Sequence, residues 1–147
     1  VYCDGVAVES HDDRPREFVA APDCFLGIID DVHGRRIDWR SVDYHPGPPR
    51  YRMAAAGVPE VNGVLFIGGS ENPYNYNGIG YNGQPSEPVQ GALLFDIDTQ
   101  GWHVLEFEGE ATMDHRGLVP FKRQWLTVGG MTADQRVTDR VASYQLD

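Results

Sequence analysis

The chain has 147 residues and a formal net charge of −10, which suits one domain and leaves little room for two. That charge repels phosphate backbones and anionic membrane surfaces, so no nucleic-acid partner is expected. No apolar run approaches the ~18 residues that span a bilayer, so no membrane insertion is expected either.

Hydrophobic residues make up 41% and charged residues 23% of the chain, a balance that permits a packed core. The 17 glycines and 10 prolines disfavour long helices and suit an all-β fold with many turns. In chain order, Val1–Val8 alternates like a strand, and residues 11–17 read as a charged surface loop. Cys3 and Cys24 are compatible with one disulfide or with two buried thiols; no second cysteine pair exists to make a zinc site. Further predicted strands are Cys24–Asp30, Ile37–Tyr44, Arg52–Val58, Gly63–Ile67, Ala92–Ile97, Trp102–Phe107, Gly117–Phe121, Trp125–Val128 and part of Val137–Leu146. Short apolar runs bounded by turn residues at this spacing argue for a β-sandwich or a propeller.

An internal repeat separates those two. Leu65-Phe66-Ile67-Gly68-Gly69 and Leu126-Thr127-Val128-Gly129-Gly130 are apolar strands ending in two glycines. An arginine precedes each, Arg52 and Arg116. A strand carrying an aromatic follows each, with Phe95-Asp96 in the first copy and Tyr144 in the second. A third copy of that later strand is Phe25–Asp31, and tryptophans follow two of the three, Trp39 and Trp102. The double glycines lie 61 positions apart (69 to 130), longer than a ~50-residue blade by about the 12 positions that distinguish their downstream loops.

In this order of elements the sequence resembles the kelch-repeat β-propeller family, including galactose-oxidase-like and bacterial kelch-repeat proteins. The resemblance implies four-stranded antiparallel blades in an incomplete ring. Residues 1–50 then form a partial first blade, with residues 1–23 in its outer or preceding strands. Residues 51–109 form a complete blade with a loop insertion at 70–89, and residues 110–147 part of the next. At ~50 residues per blade the chain cannot close a ring. Together with the absent initiator Met and the stop at Asp147, this leads to the expectation of a piece of a longer protein whose remaining blades are its partners. In this family the repeat arginines tend to pair with acids or carbonyls of the neighbouring blade; anion binding is the alternative.

The loop 70–89 is the candidate binding segment, through Glu71, Asn72, Tyr74, Asn75, Tyr76, Asn77, Tyr81 and Asn82. Aromatic faces and amides suit a carbohydrate or a protein surface, and propeller loops at one mouth of the ring are where binding concentrates. Gly78-Ile79-Gly80-Tyr81-Asn82-Gly83 matches a dinucleotide motif in letters only, because no helix can begin at Gln-Pro-Ser-Glu-Pro. His11, His33, His45, His103 and His115 form no local ligand pair. No catalytic residue, cofactor or metal is therefore expected. The function expected is a binding scaffold for protein or carbohydrate. The alternatives are part of a propeller enzyme, such as an oxidase or a sugar-modifying enzyme, and a purely structural blade segment. The cysteine pair and the resemblance to exported proteins point to a secreted or periplasmic location.

Overall fold

A computed structural model describes residues 1–29 and 33–146. It is all-β apart from one 3-10 turn among the described residues, Pro59–Val61. The first sheet orders β1 (Tyr2–Cys3), β4 (Cys24–Ile29) and β5 (Ile37–Ser41). Between β1 and β4 the chain makes a separate two-stranded ribbon, β2 (Val6–Glu9) and β3 (Glu17–Ala20). The second sheet is four-stranded and antiparallel: β6 (Ala54–Val58), β7 (Gly63–Ile67), β8 (Ala92–Asp96) and β9 (Gly101–Leu105). The third orders β10 (Val119–Phe121), β11 (Gln124–Val128) and β12 (Val141–Tyr144). All pairings are antiparallel between neighbours in sequence or across one inserted loop.

Each predicted strand from Cys24 onward is present, Gly63–Ile67 with the expected bounds and the others with different ends. The clearest shift has a backbone cause: Arg52 sits at φ 59, outside the β region, so its strand starts at Ala54. The region 1–23 differs more from expectation. Tyr2–Cys3 joins the first sheet as the strand preceding β4, while β2 and β3 form a separate ribbon and not an outer strand of it. Cys3 lies opposite Cys24 in the ladder and the two form a disulfide. Closing a loop of 21 residues removes unfolded-state entropy worth about 3 kcal/mol. Asp30, Asp31 and Asp147 lie outside the described residues.

The break between β1 and β2 is a third copy of the double-glycine corner, at Asp4-Gly5. Asp4 and Gly5 have φ of 62 and 145, Gly68 and Gly69 of 67 and 84, and Gly129 and Gly130 of 72 and 108. The hydrogen bonds repeat too. The carbonyl of the second residue accepts from the N–H of Ala21 (3.1 Å), Val89 (2.8 Å) or Thr138 (3.0 Å). Strand register then places Gly27, Phe95 and Tyr144 at one equivalent position, with Trp39 paired to Gly27 and Trp102 to Phe95.

The two central strands of the middle sheet, β7 and β8, are covered on both faces, which is why β7 reads as the unbroken apolar run Val64-Leu65-Phe66-Ile67. Leu65 and Ile67 face the third sheet with Ala54, Val58, Ala92, Leu118 and Trp125. Phe66, Leu93 and Phe95 face the first sheet, against Cys3, Val42 and Trp102. Two indole hydrogen bonds cross the junctions: Trp102 Nε1 donates to the Asp43 carbonyl (2.8 Å) and Trp125 Nε1 to the Gly57 carbonyl (3.3 Å).

A candidate binding cleft between neighbouring sheets

The double-glycine corners put the long loops of all three sheets at one end of the molecule. Glycine is required there for space as well as for φ. A Cβ on Gly68 would run into the Thr112 carbonyl and the His115 ring, and one on Gly130 into the Met113 carbonyl and the same ring. His115 is thus wedged between two corners, and burial pulls its pKa below the ordinary value, opposed by its contact with Thr112 and by the Asp114 charge. In the first sheet, at the position of Gly68, Asp4 instead sends a buried carboxylate toward the next connector. It accepts from Tyr44 Oη (2.8 Å) and the Arg50 backbone N–H (2.6 Å), and it faces His45 Nε2 (2.9 Å). The other His45 nitrogen, Nδ1, lies 3.0 Å from the Pro46 carbonyl. Burial, and then the bond to Asp4, push the Tyr44 phenol far above its usual range.

The loop 70–89 is a folded unit. Two bridges, Tyr74 with Gly80 and Ile79 with Pro85, tie it across. Its amides work inward. Asn72 Nδ2 donates to Asn82 Oδ1 (3.2 Å), Asn82 Oδ1 accepts from the Gln84 N–H (3.0 Å), and Asn77 Oδ1 accepts from the Ile79 N–H (3.2 Å). Tyr74 is fully buried with Met113 and Met131 in a small core of its own, and burial raises its phenol pKa well above the usual range. Gln135 Nε2 donates to the Ser86 carbonyl (3.0 Å). The loop therefore packs on the third sheet as well as on its own, which binds it more closely to the core than the sequence suggests.

Of the expected binding residues, Glu71, Asn72, Tyr81 and Asn82 line one cleft of about 550 Å³. Asn75, Tyr76 and Asn77 are exposed elsewhere on the loop, Tyr76 at 89%. The opposite wall is Arg16, Glu17, Phe18 and Val19 of the β2–β3 ribbon. Phe18 stacks on Tyr81 with centroids 4.3 Å apart, and each ring stays 40% exposed. Sequence reasoning missed this wall, because the only local signal was the apolar Phe18-Val19 beside a charged run. Further along the ribbon, Glu9, His11 and Glu17 present ligand atoms within 4.8 Å of one another. The Arg14 guanidinium already lies against His11 (2.9 Å) and Glu17 (3.2 Å) there.

The repeat residues divide between packing and polar roles. Phe95 is fully buried and meets Trp102 at 4.9 Å. Tyr144 meets Phe107 at 5.3 Å. Asp96 Oδ1 accepts from the N–H groups of Asp98 and Thr99, and those bonds, the Thr99 one first, lower its pKa. Gly69 and Gly129 complete their corners against Met53 and the Thr138 carbonyl. Arg52 and Arg116 are not equivalent. The pairing of Ala56 with Leu65 and of Val119 with Leu126 sets Arg116 level with Met53. Both arginines nonetheless converge on Asp114 Oδ1, at 2.5 and 3.0 Å.

These antiparallel sheets, one of them four-stranded, and their corners have the form of kelch-type β-propeller blades. Among solved structures the chain is similar to one described as "Structure of YjhT", a kelch-repeat propeller protein. The TM-score is 0.63 at 14% identity, over 97% of this chain and 42% of that one. The likeness is one of fold, and the chain spans less than half the length of that protein. No protein-family model matches the sequence, and no curated protein does.

Proposed function

We propose that this propeller segment is a binding scaffold that holds a carbohydrate in the cleft between the β2–β3 ribbon and the loop 70–89. One observation carries the reading: two insertions from different blades meet through the Phe18–Tyr81 stack and enclose about 550 Å³. A cleft of this size, with aromatic surface beside Glu17, Glu71, Asn72 and Asn82, pairs an apolar platform with acceptors and donors for hydroxyls. The internal bonds of Asn72 and Asn82 support it further, since they hold the wall in shape before a ligand arrives. The Cys3–Cys24 disulfide beside the ribbon favours an oxidising compartment, secreted or periplasmic.

A glycan array followed by titration calorimetry tests the proposal. The expected result is saturable binding to a neutral oligosaccharide that weakens at least tenfold in Tyr81→Ala. Glycan binding that Tyr81→Ala leaves intact, or an array with no bound glycan, overturns it. A protein ligand captured in a Tyr81-dependent way would replace carbohydrate with protein as the occupant.

A further inference from the structure

A second pocket, of about 320 Å³, opens between the first and second blades on the other side of the Asp4-Gly5 corner. Tyr2, Gly5, Arg50, Tyr51 and Arg52 are among its walls. Arg50 is 8% exposed. Among the described residues, its Nε and Nη1 have no hydrogen-bond partner and are closed off from solvent. An ionised guanidinium brings five donors in a fixed fork, and leaving them unmet in the interior is costly. The neighbouring carboxylate does not meet them: Asp4 is already engaged by Tyr44, His45 and the Arg50 backbone N–H. Glu71 acts on Arg50 only through its charge, with no hydrogen bond. Arg52, by contrast, is tied to Asp114 and lies over the rings of Tyr51 and Tyr74.

We propose that this pocket is a subsite for a small carboxylate, anchored by the Arg50 guanidinium. A planar, singly charged group matches the guanidinium fork. A dianion would meet more repulsion from Asp4 and Glu71 and from a chain of net charge −10. Because Nε and Nη1 are sealed, binding requires the side chain to rotate its head group into the pocket. Burial lowers the Arg50 pKa, and a bound carboxylate offsets that cost. The site is separate from the Phe18–Tyr81 cleft, so either can fail without the other.

The test is NMR titration of the 147-residue chain with acetate, sulfate and chloride at matched ionic strength. The arginine Nε–H resonances and the amides of Gly5 and Tyr51 are followed. Acetate should move the Arg50 Nε–H and both amides saturably, sulfate less, and chloride only in proportion to salt. Arg50→Lys, checked for folding by its amide spectrum, should weaken acetate binding about tenfold, while Tyr81→Ala should bind acetate as the parent chain does. Shifts from acetate that match those from chloride overturn the proposal. So does acetate binding lost in Tyr81→Ala but kept in Arg50→Lys. If Arg50→Lys does not fold, the Arg50 Nε–H response in the parent chain decides alone.

Discussion

Trp102 and Trp39 hold the same register position in adjacent blades, yet their surroundings differ. Trp102 lies against Phe66, Phe95 and His45 and donates to the Asp43 carbonyl of the first blade's connector. Trp39 packs close over Gly27 and is 53% exposed. The residue type is the same and the local strand is the same, so the difference comes from the neighbouring sheet. A blade tryptophan is core only where another blade presents a surface to it, as expected when repeats bury their faces on one another.

The largest expected effect comes from breaking that contrast directly. Trp102→Ala should cost about 3 kcal/mol, the low end for truncating a packed tryptophan because Trp102 is only half-buried. Trp39→Ala should cost less than about 1 kcal/mol in the same chain. Urea denaturation measures both, and equal losses would mean that the inter-blade junction is not what stabilises Trp102.

A second contrast concerns the corners. Gly68→Ala must adopt φ 67 and also collide with the Thr112 backbone, so about 2 kcal/mol or more should be lost. Gly83→Ala has a similar φ of 78 with open space around it, so only the conformational penalty of about 1 kcal/mol remains. A cost for Gly68→Ala no greater than for Gly83→Ala would remove the argument that close approach of the next blade selects glycine there.

The smallest effect expected is on pH dependence, at the same junction. His115 is held neutral by burial, so its folded pKa lies below 6.5. As pH falls through 6.5 the unfolded chain takes up the proton first, so stability declines from there down to the folded pKa. His115→Gln should flatten that decline and leave stability at pH 8 changed mainly by packing. An unaltered slope between pH 7 and pH 4.5 would place the acid sensitivity at other groups.

Much of this was legible because the blade strands announce themselves. Gly63–Ile67 and Ala92–Asp96 are apolar runs that must be covered on both faces, and the double glycines after β7 and β11 mark corners whose φ values other residues resist. The first corner escaped notice because Asp4 replaces a glycine. Aspartate tolerates the left-handed region, and here its side chain is used to bind the next connector. The pairing of Arg52 with Arg116 as equivalents failed for a related reason: spacing in the sequence does not reveal a one-residue offset in how a connector joins its strand. In the candidate cleft, the Tyr81 wall lay within a segment whose composition invited attention, whereas the Phe18 wall lay in an ordinary charged hairpin.

The sequence alone determined the strand order, the corners with glycine and the apolar faces of the middle blade, since these follow from local backbone freedom and hydrophobic pattern. Only the tertiary structure decided which loop meets which. The approach of the β2–β3 ribbon to the loop 70–89, the engagement of Asp4 by Tyr44, His45 and the Arg50 backbone N–H, and the unmet donors of Arg50 all depend on how blades pack side by side. That packing is set by contacts between residues dozens of positions apart, and no local pattern in the chain encodes them.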